Sequence, residues 1–199
     1  MGQVSRPIQL VVPVSLYRVS EQLHHALWHY KNDHNPSIRA RFQYELAALF
    51  GRFFNDHSGC IRTAAGNPWN AITTVPSSRQ RAGEHPLEAS LRLLTGWKQM
   101  VVTTLEAGTA EMGHNSADDQ GYRPLRDFHG ESFLLVDDTF TSGARLQSAA
   151  SALQLAGARV VAAVVLGRVI DPDRSDTSRQ LWDRARAIPF DFATCCLEV

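Results

Sequence analysis

The sequence has no excess of charge of either sign. Its 20 Lys and Arg residues balance 20 Asp and Glu residues, so no global positive field attracts nucleic acid and no acidic surplus forms a solvating tail. No hydrophobic run reaches the length of a membrane span, and the N-terminus lacks the pattern of a signal peptide. We therefore expect a cytoplasmic protein without nucleic-acid or membrane partners, in which any anion site is local.

Cysteine and the common nucleotide-binding motifs are also scarce or missing. The three cysteines, Cys60, Cys195 and Cys196, do not have the paired spacing of zinc ligands. Adjacent cysteines rarely bridge one another, so free thiols in a reducing compartment are expected. A Walker A loop and a GxGxxG fingerprint are both absent, which argues against the nucleotide-binding classes that depend on them.

The most regular part of the chain is residues 132–168. Residues 133–136 form a short apolar run typical of a buried strand, and apolar positions then recur at helical spacing through residues 146–153. Gly157 follows as a helix-terminating glycine, and residues 160–166 form a second apolar run. This order predicts a β-α-β unit with parallel strands, and therefore an α/β sheet.

A polar turn separates this first strand from the helix. Asp137 and Asp138 come at the end of the strand, and the turn itself consists of Thr139, Phe140, Thr141, Ser142 and Gly143. At the carboxyl end of a parallel strand, a helix N-terminus with added hydroxyl donors and a side-chain-free glycine suits a phosphate. The acidic pair would repel that phosphate, so we expect it to accept hydrogen bonds from sugar hydroxyls or to hold hydrated Mg²⁺.

The run VDDTFTSGA resembles the phosphoribosyl-pyrophosphate (PRPP) signature of the type I phosphoribosyltransferases. The resemblance implies that Asp137 and Asp138 are the catalytic pair, holding the ribose hydroxyls and Mg²⁺, directly or through water. It also implies that residues 139–143 bind the 5′-phosphate. The alternative is an ordinary β-α turn in which Asp138 or Thr139 caps the helix.

A second polar loop, PSSRQRAG, lies between a predicted strand at residues 71–75 and a predicted helix at residues 87–94. Guanidinium groups bind phosphate oxygens bidentately and keep their charge, as a pyrophosphate leaving group requires. In the family the corresponding loop holds pyrophosphate, and two solvated surface arginines are the alternative. The residues implied in pyrophosphate binding are Ser77, Ser78, Arg79 and Arg81.

Residues 20–98 carry a broader resemblance. The run LHHALWHYKND, an amphipathic helix predicted at residues 39–54, the Val-Pro loop and a further helix are similar in order and spacing to the ComF-like branch of the phosphoribosyltransferases. The four-cysteine zinc element that usually begins the ComF pattern is absent here. Within this run His24, His25 and His29 form a cluster, and the last two are one helical turn apart as metal ligands would be. No third ligand is evident, so a solvated helix face is the alternative.

The remaining segments are predicted from local patterns. Residues 8–14 favour an edge strand or an extended arm because they include a proline, and residues 101–105 are a strand candidate. Residues 107–130 resemble in position the mobile loop of the family. The candidates for contact with substrate there are His114, Asn115, Arg123 and Arg126. After Arg168, the pattern predicts a helix at residues 180–187, followed by an aromatic tail. These segments either form part of the hood, which is the variable region that recognises the acceptor in this family, or pack in the core.

The resemblances imply a type I phosphoribosyltransferase fold: a single domain with a central, mostly parallel sheet flanked by helices. Its parts are residues 1–65 (N-terminal arm and helices), 66–170 (core) and 171–199 (C-terminal hood or tail). The implied reaction transfers the 5-phosphoribosyl group of PRPP to a nitrogen nucleophile, a nucleobase or amine, with release of pyrophosphate and with Mg²⁺ as cofactor. The ligands are then PRPP and a small acceptor, and a homodimer is allowed.

Two other functions are compatible with the same residues. A non-catalytic, ComF-like regulatory protein would bind PRPP or a nucleotide without consuming it. A hydrolase or phosphorylase would instead cleave an existing ribosyl phosphate compound. The acceptor itself is not identified by the sequence, because recognition in this family lies in the variable hood.

Overall fold

Four parallel strands form the centre of the protein, as a computed structural model shows for residues 4–77, 83–109 and 115–198. In chain order the elements are β1 (Val11–Tyr17), α1 (Gln22–Asn32), α2 (Pro36–Ala65), β2 (Ala71–Thr74), α3 (Pro86–Leu91), β3 (Leu105–Ala107), β4 (Tyr122–Pro124), β5 (Ser132–Phe140), α4 (Ala144–Leu155), β6 (Arg159–Val169) and α5 (Asp176–Ala187). Within these ranges, none of the helices has both the length and the apolar character needed to cross a membrane.

The central sheet has the strand order β1-β6-β5-β2, and every neighbouring pair is parallel. A single parallel bridge from Ile72 to Val101 continues the sheet beyond β2. The interior strands are apolar on both faces because helices cover both sides, as the patterns at residues 133–136 and 160–166 predicted. Residues of α2 such as Phe50 pack on one face, and residues of α4 such as Leu153 pack on the other.

The β5-α4-β6 unit follows the sequence prediction, although both strands are longer than the predicted apolar runs. β5 continues through Phe140, so the acidic pair lies within the strand and not after it. The helix begins at Ala144, and Gly157 has a positive φ of 85° just beyond its end. The predicted β-α-β unit is therefore confirmed, and the chain is an α/β protein with a parallel sheet flanked by helices.

Helix α2 is longer than the predicted residues 39–54. Asn35 caps its first turn by accepting a hydrogen bond from the Ser37 N–H at 2.9 Å, and the helix ends at Gly66, whose φ is 66°. The additional turns remain helical because their inner face, including His57 and Ile61, is buried. The end of α2 thus reaches the C-terminal tail.

β1 pairs with β6 at the sheet edge and includes Pro13, which confirms the edge strand predicted near residues 8–14 and moves its bounds to Val11–Tyr17. One other prediction needs correction. The strand predicted at residues 101–105 is wrong in its bounds: β3 begins at Leu105 and pairs with β4 in an antiparallel hairpin. The sequence analysis missed β4 because three residues are too few to show alternation.

Candidate functional site

The loops that follow β2 and β5 meet at one edge of the sheet, because these neighbouring strands are parallel. The strand that follows β5 in the chain, β6, lies on the side of β5 that faces away from β2. The bridged segment at Val101, which follows β2, lies on the opposite side, beyond β2. Ligands of α/β proteins bind at such a change of direction, beyond the carboxyl ends of the strands. A cavity of about 500 Å³ lies there, lined by Lys31, Val75, Ser77, His85 and residues 137–146.

The turn at residues 139–143 forms one wall of this cavity and leads directly into α4. Gly143 occupies the cap position and has no side chain to cap the helix, while the Ser142 hydroxyl accepts a long hydrogen bond from the Ala144 N–H at 3.4 Å. The alternative in which Asp138 or Thr139 caps the helix is therefore wrong. A glycine at the cap position leaves backbone N–H groups of the first helical turn for an anion.

Gly143 is required at its position for two separate reasons. Its φ of 79° is in the left-handed region that favours glycine. A Cβ atom added there would lie 2.6 Å from the Phe140 ring, well inside van der Waals contact. The aromatic ring thus fills the space beside the glycine, and the turn closes tightly against the cavity.

The two aspartates are in different environments. Asp138 is 2% exposed and forms an ion pair with Lys31 of α1. Asp137 is half-buried, lines the cavity and accepts a hydrogen bond at 2.9 Å from the Asp138 N–H. Burial raises the pKa of Asp138 to about 7, while Thr139 and Arg145 act in the opposite direction. This carboxyl group therefore changes charge near neutral pH.

Burial also raises the pKa of Asp137, and the positive charges of Lys31 and Arg145 oppose that effect. Arg145 lies in the first turn of α4 and links both loops. It donates to the Pro76 carbonyl at 2.9 Å and to the Tyr122 hydroxyl at 3.2 Å, and that hydroxyl donates to the same carbonyl at 3.3 Å. The cavity thus combines two carboxylates with two cations that the sequence analysis missed.

The Val-Pro loop contributes Ser77 to the cavity, and the role of Ser77 in pyrophosphate binding stays a prediction. Ser78, Arg79 and Arg81 lie outside the described residues. His85 also lines the cavity, and its side chain does not cap α3.

A buried carboxylate braces the start of this loop. Glu88 of α3 is 4% exposed and accepts hydrogen bonds from Thr74 at 3.2 Å and Thr103 at 2.8 Å. Arg92 approaches the same carboxylate at 3.3 Å. These contacts fix the end of β2 against α3, and the only sign of them in the sequence is an acidic residue in a predicted first helical turn.

The candidates for contact with substrate in residues 107–130, the segment ahead of β5, do not all lie at the cavity. His114 lies outside the described residues. Arg123 is 71% exposed and pairs with Glu106 across the β3-β4 hairpin, and Arg126 pairs with Glu131 at 2.5 and 2.9 Å. Neither arginine lines the cavity.

Asn115 lies nearer the turn at residues 139–143. It lines a depression of about 320 Å³ together with Thr141, Ser142, Arg168 and Arg174. Asp171 lines the same depression, so the two arginines leave one net positive charge on this side of the turn.

The histidines and aromatic residues of the expected hood have local partners. The His25 and His29 rings contact each other in a tilted arrangement with centroids 4.0 Å apart, and Nδ1 of His29 contacts Asp33 at 2.5 Å. Trp182 is buried and Phe192 packs against the core, whereas Phe190 is exposed and lines an apolar cavity of about 520 Å³ between α1 and α2. Among the described residues, side chains with the geometry of a metal site occur elsewhere, at His57, Cys60, Cys195 and Glu198.

Comparison with known proteins gives no further assignment. No model of a known protein family matches the chain, and no curated protein matches it significantly.

Proposed function

We propose that the chain has a type I phosphoribosyltransferase fold and transfers the 5-phosphoribosyl group of PRPP to a nitrogen nucleophile, with release of pyrophosphate. One observation carries the proposal. The cavity at the carboxyl ends of β2 and β5 combines the acidic pair, a glycine-capped helix N-terminus with a hydroxyl-rich turn, and Ser77 of the Val-Pro loop. A sugar phosphate with a second anionic group matches these three parts.

The charge of each part of the cavity indicates which part of the ligand it would bind. The turn at residues 139–143 and the first N–H groups of α4 would bind the 5′-phosphate, with Arg168 and Arg174 beside them. Asp137 and Asp138 would accept hydrogen bonds from the vicinal ribose hydroxyls, because carboxylates are acceptors and repel phosphate. The sugar is then held at both ends, and a bound geometry of this kind lowers the barrier by orientation.

The reacting carbon gains positive charge as pyrophosphate leaves, so no nucleophilic side chain is needed. Asp137 faces the cavity and would stabilise that charge electrostatically. Lys31 keeps a positive charge beside Asp138 and so favours its ionised form. Ser77 begins the loop that would hold the leaving group, in the position that the family resemblance implies.

Mg²⁺, which the resemblance also implies, fits the donors present. Asp137 presents a carboxylate to the cavity, with Asp138 directly beside it, and hard cations such as Mg²⁺ prefer oxygen ligands. Bound there, directly or through water, the ion would neutralise charge on the leaving pyrophosphate.

The test is pyrophosphate release from PRPP and Mg²⁺ in the presence of single nucleobases or amines. A transferase releases pyrophosphate only with an acceptor, whereas a hydrolase releases it in water alone and a regulatory protein binds PRPP without releasing any. We expect acceptor-dependent release that falls by about 100-fold or more in Asp137→Asn, since this carboxylate acts on developing charge.

The matched control is Asp183→Asn, which changes an exposed carboxylate of α5 and should leave the rate unchanged. Binding of PRPP without release under any acceptor would exclude the transferase and favour the regulatory function. Absence of PRPP binding by the folded protein would exclude both.

A further inference from the structure

Four potential metal ligands meet where the end of α2 contacts the C-terminal tail. His57 and Cys60 are one turn apart on α2, and Cys195 and Glu198 lie in the tail after α5. One donor atom from each lies within 4.8 Å of the others. His57 is 2% exposed and Cys195 is 5% exposed, so these two are shielded from water, whereas Cys60 is half-buried and Glu198 is exposed.

The separations of the donor atoms suit a tetrahedral ion. Sγ of Cys60 is 3.5 Å from Sγ of Cys195 and 3.5 Å from Nδ1 of His57, and Nδ1 of His57 is 3.4 Å from a carboxylate oxygen of Glu198. Zinc bonds of about 2.0–2.3 Å place neighbouring ligands of a tetrahedron roughly 3.3–3.8 Å apart. The sulfur separation is too long for a disulfide, whose bond is about 2.05 Å.

The imidazole of His57 is oriented as a ligand. Its Nε2 lies 2.6 Å from the Phe192 carbonyl oxygen, which can only accept, so Nε2 carries the proton. Nδ1 then presents its lone pair to the cluster. A hydrogen bond from the ring nitrogen that does not bind the metal is typical of metal-bound histidine, because it fixes both the tautomer and the ring orientation.

We propose that His57, Cys60, Cys195 and Glu198 bind one Zn²⁺ ion that anchors the C-terminal tail to α2. Two thiolates with an imidazole favour zinc over magnesium or calcium, which prefer oxygen ligands. Residues 188–198 contain no helix or strand, so few backbone hydrogen bonds hold them, and a four-ligand ion would supply the missing restraint. The side chain of Glu198 is 42% exposed, which provides a route for the ion.

This site shares no residue with the cavity at the carboxyl ends of β2 and β5, so its test is independent of the proposed function. The full-length chain would be purified with Zn²⁺ present, dialysed against metal-free buffer and analysed for metal by mass spectrometry. We expect about one zinc per chain, reduced at least tenfold in Cys195→Ser. The control is Cys196→Ser, which replaces the exposed neighbouring cysteine and should retain full zinc content.

A second measurement decides the outcome if Cys195→Ser does not fold. Replacing zinc by Co²⁺ in the wild-type protein should produce the intense visible absorption of tetrahedral cobalt together with a thiolate charge-transfer band. A wild-type protein that is free of metal after dialysis, or that holds a Cys60–Cys195 disulfide, would overturn the proposal. Equal zinc loss in Cys195→Ser and Cys196→Ser would also overturn it.

Discussion

At the scale of single residues, the ion pair between Asp138 and Lys31 compensates the most deeply buried carboxylate of the cavity. Asp138 is almost fully buried, and the ammonium of Lys31 compensates its charge. Lys31 and Lys98 are the only lysines of the chain, which otherwise uses arginine. That rarity, and the position of Lys31 in the ComF-like run, were the sequence signals that could have identified it.

Replacement of Lys31 by Met should destabilise the protein in a pH-dependent manner. A buried carboxylate that loses its partner is costly, and we expect a loss of about 2 kcal/mol at pH 8. The loss should be smaller at pH 6, because burial raises the pKa of Asp138 to about 7 and protonation then removes the uncompensated charge. The folded pKa is raised above the unfolded value, so stability declines as the pH rises through it.

The measurement is urea unfolding of wild type and Lys31→Met at both pH values. The control is Lys98→Met, which removes the other, exposed lysine and should change stability by under about 0.5 kcal/mol. A loss in Lys31→Met that is equal at pH 6 and pH 8 would contradict the assignment of the titrating group.

Gly143 offers a second test at this scale. Gly143→Ala should weaken PRPP binding, because the left-handed backbone is strained by a Cβ atom and that atom would collide with the Phe140 ring. Gly130→Ala is the matched control: its φ is 86°, and an added Cβ meets nothing within 4 Å.

Thermal unfolding and PRPP titration would be compared for the two variants. Both should lose about 1–2 kcal/mol of stability from backbone strain, but only Gly143→Ala should lose ligand affinity. Equal affinities in the two variants would show that the turn does not contact the ligand.

At the scale of elements, the loop after β2 depends on the contacts of α3. Glu88 accepts from Thr74 and Thr103 and also faces Arg92. A buried carboxylate with all these partners is expensive to alter, since the remaining donors lose their acceptor. The start of the Val-Pro loop is therefore fixed by a helix and not only by the sheet.

Glu88→Gln should lower the free energy of unfolding by about 3 kcal/mol, because the amide brings two N–H donors toward groups that already donate. Glu84→Gln is the natural comparison, since Glu84 pairs with the same Arg92 but its side chain is 48% exposed. That change should cost under about 1 kcal/mol. Chemical denaturation measures both, and equal losses would show that Glu88 does not brace the loop.

Elements with long, regular patterns were predictable, and short ones were not. The two apolar runs and the helix between them identified β5, α4 and β6, because buried parallel strands are continuously apolar. The hairpin of β3 and β4 was missed, since its three-residue strands are stabilised by pairing with each other. The length of α2 was underestimated, because its last turns are held by burial against other segments.

At the scale of the whole molecule, contacts between distant segments could not be predicted from spacing. Lys31 meets Asp138, and Cys60 meets Cys195, only because the sheet brings α1 beside β5 and α2 beside the tail. The cysteine spacing therefore gave no sign of a zinc site. The turn between β5 and α4, by contrast, was predictable because its residues are contiguous, and the parallel pairing of β2 with β5 places a second loop beside it.

The most direct test of the proposal that PRPP binds in the cavity at the carboxyl ends of β2 and β5 is calorimetric titration. The wild-type chain would be titrated with PRPP and Mg²⁺, beside the double variant Asp137→Asn, Asp138→Asn. We expect saturable binding that the double variant loses while it remains folded by circular dichroism, since the amides cannot replace two charged acceptors. Asp183→Asn should bind as the wild type does. A folded wild-type protein that binds neither PRPP nor ribose 5-phosphate would contradict the assignment of this cavity.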